Sequence, residues 1–319
     1  MLPFSQKISE LFLDIEGEVG TTALNNMFLI ALKKAIHDFE EKNDADFFAQ
    51  FYELLQLVKN TEPRVSLIID NLYEIWKALL TDKLKGHPEG HRHLEKKVGA
   101  AILSSQKTTR EERKKLTMHG VGQVHKNDVI LIHSISGSVL DVLFEAKKAG
   151  KDFRVVIAEQ EAEKTQQLIE LLSEGGIRFQ VVPEYMLSHV ESEVTKVFLG
   201  GVTINDQLAV VGDSGSNAIV SEFHLRETPI YLFMSTRKFS LWKSRESHHT
   251  YKVKNIKTLA NDKHITYERI KFSHDRIPLE FYDHIVTEAG ILTPKETEKL
   301  YRKKYDERKP WRDKFFQDQ

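Results

Sequence analysis

His133, Ser134, Ser136 and Ser138, gathered around Gly137 directly after the apolar run Val129-Ile130-Leu131-Ile132, are the side chains of this sequence best disposed to do chemistry. An aliphatic run without alternation is the pattern of a strand buried on both faces, and a small-residue elbow after it is how such a strand turns into a helix. At that junction the first N–H groups of the helix face whatever lies beyond the strand. The chemistry on offer is therefore recognition of a phosphate or a sugar. The competing reading is structural, with Ser134, Ser136 and Ser138 capping the helix and His133 a satisfied core histidine. Glu159 either accepts hydrogen bonds from a sugar hydroxyl or merely ends a strand. Asp206 and Asp213 are either substitute acids or turn and cap residues, which favour aspartate for local reasons.

The elements that must position these residues follow from periodicity. From about Ile8 to Lys115 apolar residues recur at three- and four-residue spacing, as in Phe28, Leu29, Leu32, Ile36 and again Leu67, Ile68, Leu72, Ile75, Leu79. Breaks are expected at Asn43-Asp44, at Glu62-Pro63 and at Gly86 to Gly90, and His91 to Met118 reads as one long, partly exposed helix ended by Gly120 and Gly122. After Gly122 short apolar strands alternate with amphipathic helices: Val129–Ile132, Phe153–Ala158, Arg178–Val182, Lys196–Leu199, Ala209–Val211 and Ile230–Met234. Crossovers of a dozen residues imply a parallel, right-handed, doubly wound sheet, whose ligands sit beyond the carboxyl ends of its strands. His133, Glu159, Gly200 and the Gly212–Ser216 turn converge there. The expected division is a helical N-terminal domain over residues 1–122 and an α/β domain over 123–319, closed by a helix that Thr293-Pro294 opens.

Composition narrows the classes. The 319 residues carry 46 basic and 47 acidic side chains, so no global field recruits a nucleic acid or an anionic membrane, and any such contact has to be local. No cysteine is present, which removes disulfides, thiolate metal sites and thiol nucleophiles. No segment approaches the ~18 consecutive apolar residues of a membrane span, and the acidic start of the chain does not read as a signal peptide, so a cytoplasmic protein is expected. His87, His91 and His93 raise a metal site, but Pro88 and Gly90 break the helix that would align them, and a solvated loop is the reading preferred. The basic, aromatic stretch from Lys299 to Lys314 is diluted by Glu298, Asp306, Glu307 and Asp313 and reads as a polar helix without a strong nucleic-acid signal.

The order of these segments resembles the family of the alpha, beta and delta regulatory subunits of translation initiation factor 2B, which also holds sugar-phosphate aldose-ketose isomerases. Ile132-His133-Ser134-Ile135-Ser136 is similar to the family's first strand end and Ala158-Glu159-Gln160-Glu161-Ala162 to its Thr-Glu-Ser-Arg-Pro. Gly200-Gly201-Val202-Thr203-Ile204 is similar to Gly-Ala-Asp-x-Ile, and Gly212-Asp213-Ser214-Gly215-Ser216 to Asn-Lys-x-Gly-Thr. Ser235-Thr236-Arg237-Lys238-Phe239 resembles Glu-Ser-x-Lys-Phe, and Ile285 to Pro294 resembles Thr-Asp/Glu-x-Gly-x-Leu-x-Pro. The resemblance implies an α/β fold, an N-terminal helical bundle followed by a Rossmann-like, mainly parallel sheet. It implies ligand-binding positions at His133, Ser134, Ser136, Gly137, Glu159, Gly200, Gly201, Gly215, Ser216, Asn217 and Lys238. It also implies a homodimer formed through the α/β domain, a sugar- or nucleotide-phosphate ligand and a protein partner in translation; no cofactor, metal or membrane is expected.

The departures bear on activity. The cysteine and aspartate that move the proton in the isomerases fall on Ser134 and Val202, and a serine without an activating partner is too weak an acid or base to replace them. The arginine and lysine expected to grip phosphate fall on Glu161 and Asp213, which turns two attractions into repulsions. The expectation is a non-catalytic, dimeric binding or regulatory module with a degenerate sugar-phosphate pocket. The alternative is a divergent isomerase, of the ribose-1,5-bisphosphate or methylthioribose-1-phosphate type, working with Asp206, Asp213 or Glu159.

Overall fold

The helical spacing of the first third becomes α1 (Phe4–His37), kinked at Gly20 where φ is 76°, α2 (Asp44–Lys59), α3 (Ser66–Leu84) and α4 (His91–Val121), in a computed structural model that describes residues 4–38, 44–61, 65–84, 91–242, 252–258 and 266–315. Asp44 opens α2, while Asn43, Glu62-Pro63 and Gly86 to Gly90, His87 among them, lie outside the described residues. The apolar stripes meet in one core: Leu29, Leu32 and Ile36 of α1 pack with Phe47, Phe51 and Leu55 of α2, Ile68, Leu72 and Trp76 of α3, and Leu94, Val98 and Ile102 of α4. The rings of Phe51 and Trp76 stack at 5.6 Å, a large apolar area buried at low entropic cost.

From Asp128 the chain alternates: β1 (Asp128–Ile132), α5 (Gly137–Lys148), β2 (Phe153–Glu159), α6 (Ala162–Glu174), β3 (Arg178–Pro183), β4 (Lys196–Gly200), β5 (Thr203–Ile204), β6 (Ala209–Asp213), α7 (Ser216–Leu225) and β7 (Ile230–Phe233). It ends with β8 (Lys252–Thr258), β9 (Thr266–Phe272), β10 (His274–Pro278), β11 (His284–Thr287), β12 (Gly290–Leu292) and α8 (Pro294–Phe315). Among the described residues seven strands form the main sheet in the order β12-β11-β7-β4-β1-β2-β3, parallel throughout except for the β11–β12 pair. The order reverses between β1 and β4, which fixes the switch point, and hence the crevice, beyond Ile132 and Gly200. All five residues of β1 are buried. Ile130 and Ile132 face a core with α4 and α5, and Val129 and Leu131 face one with α7, as the two-residue period of a strand requires.

One sequence expectation fails. The strand at Ala209–Val211 does not join the parallel sheet. It extends to Asp213 as β6 in a separate antiparallel sheet of order β10-β6-β5. An apolar run of that length carries no information about which partner it takes. The Gly212–Ser216 turn thus reaches the crevice from a second sheet.

The two halves of the chain are joined by packing. Leu116 of α4 belongs to the sheet core, and Trp242, just after the β7 segment, sits in the helical core with its ring 5.7 Å from Tyr73. At the C-terminus the expected cap forms: Thr293 Oγ1 accepts from Glu296 N at 3.2 Å while Thr293 N donates to Glu296 Oε2 at 2.8 Å, the reciprocal pattern that starts a helix.

Candidate functional site

The elbow after β1 combines both readings of its residues. Ser136 caps α5, its Oγ accepting from Val139 N at 3.4 Å, whereas Ser134 is held at φ 67°. That left-handed conformation costs a non-glycine residue about 1 kcal/mol or more and is typical of turns that aim a side chain. The bend turns His133 inward until its side chain is fully buried. Its Nδ1 lies 3.2 Å from Ser216 Oγ at the start of α7. Its Nε2 makes no hydrogen bond, with Glu184 Oε2 standing 3.8 Å away. Gly200 ends β4 against Ser136: a Cβ on Gly200 would strike the serine side chain, so only glycine lets the strand end and the elbow approach this closely.

Glu184 comes from the turn after β3, and it reaches the crevice because Gly215 leaves room. Gly215 has φ 98°, and a Cβ there would lie 2.6 Å from a Glu184 carboxylate oxygen. The N–H groups of Gly215 and Asn217, which would otherwise face a ligand, both donate to Asp275 Oδ2 at 2.9 Å. A carboxylate of β10 thereby fills the positive end of α7. Ser216, His133 and Glu184 have the residue types of a nucleophile, a base and an orienting acid. Ser216 is buried, however, and the nearby backbone donors that an oxyanion would need are engaged by Asp275, so the arrangement does not support acyl transfer.

The remaining predicted residues disperse around this centre. Glu159 is exposed at the end of β2. Gly137 lies beside the Arg113 guanidinium, and Gly201 packs under Val210 and Leu232 with its carbonyl accepting from Lys238 Nζ at 2.8 Å. Val202, at the position of the isomerase aspartate, is buried beside Val211. In the turn that carries Asp206, Asn205 Oδ1 accepts from Gln207 N and Ala209 N at 3.1 and 3.0 Å.

Glu161 and Asp213, expected as net repulsion, are each neutralised by a cation that the motif reading passed over. Lys271 of β9 hydrogen-bonds Glu161 and, aided by the fields of Lys164 and Arg269, holds its carboxyl below the usual glutamate range. Lys164 Nζ stands 3.7 Å from Asp213 Oδ1. Among the described residues no three His, Asp or Glu side chains are arranged to hold a metal.

Arg237, inside the Ser235–Phe239 motif, serves a different place. Its guanidinium bonds Asp70 Oδ2 at 3.1 Å, Thr109 Oγ1 at 2.8 Å and the Asn71 side chain, so it fastens the end of β7 to α3 and α4. Arg308 of α8 pairs with the other oxygen of Asp70 and lies 3.9 Å over the Tyr73 ring. Glu112, whose Oε2 accepts from Ser235 Oγ at 3.3 Å, has its pKa pushed up to about 7 by burial, against the opposing pull of Arg237. Glu184, Asp275, Lys164, Lys271 and Arg237 were missed as a group because each acts on a residue distant in sequence, Asp275 on a turn 58 and 60 positions away.

A sequence model of the initiation factor 2 subunit family, IF-2B, matches residues 18–294. The chain belongs to that family. It is 25% identical over 190 residues to the translation initiation factor eIF-2B subunit 2-like protein of Pyrococcus furiosus, a stretch covering 59% of this chain and 66% of that one. It is 34% identical over 119 residues to the eIF2B delta subunit of Schizosaccharomyces pombe, covering 37% of this chain and 26% of that subunit. The chain thus spans less than two-thirds of the length of these relatives. Among solved structures, the eIF-2B of Pyrococcus horikoshii superimposes with a TM-score of 0.71 at 20% identity over 92% of this chain and 99% of that one. A chain of the tetrameric eIF2B beta2-delta2 complex of C. thermophilum gives 0.67 at 15% identity over 92% and 93%. At such identities the likeness speaks for the fold: helices followed by a mostly parallel sheet.

Proposed function

We propose that this IF-2B family protein is a non-catalytic binding and regulatory subunit that acts as a homodimer in the cytoplasm, its strand-end crevice a degenerate sugar-phosphate pocket. The observation that carries this reading is the occupation of the crevice by the chain's own carboxylates: Asp275 on the N–H groups of Gly215 and Asn217, and Glu184 over Gly215. A pocket evolved for a phosphate keeps those donors open, because an anion at a helix start is stabilised by them. Ser134 and Val202 support the same conclusion, since neither supplies the proton-transfer group that typically contributes ~10²–10⁴-fold in rate. The helical segment up to residue 122 and the α/β segment after it are proposed as the two working parts, with a translation protein as partner. A tetrameric assembly of beta and delta subunits is named for one structural neighbour, which supports looking for self-association first.

Two measurements on the purified chain test this. Sedimentation equilibrium is expected to give a dimer. Thermal melts with ribose phosphates, nucleotides and free sugars are expected to give at most small shifts, and NMR of the same mixtures no aldose-to-ketose conversion. Turnover that is abolished by Glu184→Gln or His133→Asn would overturn the non-catalytic reading.

A further inference from the structure

Where the helices meet the end of β7, one carboxylate is left without a cation of its own. Asp70 of α3 bonds the guanidinium groups of both Arg237 and Arg308, and Glu74, half exposed, pairs with Arg308 at 3.0 Å. Glu288, in the turn between β11 and β12, accepts from Thr236 N at 3.0 Å and from the Thr236 hydroxyl. Among the described residues Glu112 of α4 has one hydrogen bond, from Ser235 Oγ at 3.3 Å. The two guanidinium groups of Arg237 and Arg308 thus meet the carboxylates of Asp70, Glu74, Glu288 and Glu112, and Glu112 is the surplus charge. Its neighbours on α4 do not relieve it: Arg113 is bonded to Asp141 of α5, His119 Nδ1 lies 2.8 Å from Thr287 O, and Lys115 is exposed. A half-buried carboxyl in these surroundings favours its neutral form. Burial, with the fields of Glu288 and Asp70, outweighs Arg237 and the Ser235 hydroxyl and holds the pKa of Glu112 at about 7.

We propose that Glu112 is a proton-operated latch between the helical half and the sheet: protonated, it closes α4 onto residues 235–239, and ionised, it lets that segment open away from the helices. The neutral carboxyl can donate to Ser235 Oγ, which also accepts from Arg237 N at 3.2 Å and has a second lone pair to offer. Proton and backbone then hold the same hydroxyl. The ionised carboxyl instead adds a negative charge beside Glu288 and Asp70, and it competes with Asp70 for Arg237. The sign follows from linkage. In the open segment the Glu112 carboxyl returns toward the ordinary glutamate value, so the closed form holds the proton more tightly. Opening therefore grows as pH rises from about 5 and levels off above about 7. The latch rests on the junction alone and is independent of whether the crevice holds a ligand.

The test is hydrogen exchange of the full chain, read by mass spectrometry from about pH 5 to about pH 8, with each rate divided by the chemical exchange rate at that pH. Peptides covering residues 235–239 and the facing residues 109–116 of α4 are expected to lose about fivefold in protection over that range in the parent. In Glu112→Gln, which stays neutral, their protection is expected to stay level. At the upper end of the range these peptides are expected to exchange well before β1 and β4, the mark of a local opening rather than unfolding of the chain. Glu288→Gln, which removes a like charge beside Glu112, is expected to move the fall to lower pH. If Glu112→Gln melts early, Glu288→Gln carries the test. Protection that does not change with pH, a fall that persists in Glu112→Gln, a fall unmoved in Glu288→Gln, or a joint that exchanges only together with β1 and β4 would each overturn the proposal.

Discussion

The crevice beyond β1 and the junction around Arg237 are both polar and both assembled from residues far apart in the chain, yet their side chains are satisfied to different degrees. At the junction the Nε and both terminal nitrogens of Arg237 have acceptors, and Asp70 is shared with Arg308. In the crevice the backbone donors of α7 are satisfied by Asp275, but one edge of the buried His133 ring makes no hydrogen bond. At the junction all three Arg237 nitrogens are bonded and the atom left over is the outer Arg308 Nη1, whereas in the crevice the unmet atom belongs to the central His133 ring. The motif at Ser235–Phe239 thus contributes, through Arg237, a weld between helices and sheet, while the crevice holds its own acids at the start of α7.

If the junction is the weld, Arg237→Ala is expected to cost about 3 kcal/mol in urea unfolding, because it strips one of two cations from the largely buried Asp70 and takes a donor from both Asn71 and Thr109. Arg237→Lys is expected to recover only part of that, since an ammonium cannot match the fork. A loss below about 1 kcal/mol would dissolve the contrast. In the crevice, Gly215→Ala is expected to cost about 2 kcal/mol from the left-handed backbone and the encounter with Glu184. Adding Glu184→Ala should return the part owed to the encounter and leave the backbone part.

Asp275→Ala is expected to cost about 1 kcal/mol by uncapping α7. The variant should then gain melting temperature from inorganic phosphate where the parent does not, and a variant indifferent to phosphate would deny that α7 was ever an anion site. The smallest effect lies with Glu112. Its folded pKa, about 7, is above the ordinary carboxylate value, so the folded state holds a proton that the unfolded state releases. Stability drawn from that proton is present at low pH and is lost as pH rises through about 7. Glu112→Gln should therefore gain on the parent between about pH 5 and pH 8, by about 1 kcal/mol after allowance for solvent screening. A difference that stays flat across that range would remove Glu112 from the junction's electrostatics.

Much of this was legible without coordinates. The strand, elbow and helix at Val129 to Lys148, the Thr293-Pro294 helix start and the alternation up to β7 are local patterns, set by which neighbours along the chain are apolar, small or able to cap. Pairing was not legible where the pattern permits several partners: Ala209–Val211 has the same apolar character as β1 yet takes β10 and β5. The crevice was half legible. His133, Ser136, Gly200 and Ser216 meet as their segments predicted, because a parallel sheet must bring its strand ends together. What fills the crevice was not legible.

The amino-acid sequence by itself determined the helices and the strands of the parallel sheet with their carboxyl ends, since hydrophobic period and turn chemistry act over a few residues at a time. Only the tertiary structure decided that Asp275 and Glu184 occupy the crevice, that Lys271 and Lys164 offset Glu161 and Asp213, and that Arg237 fastens the two halves. Electrostatic pairing depends on distance in space, and side chains separated by tens to hundreds of residues carry no local signal of where their partners will stand.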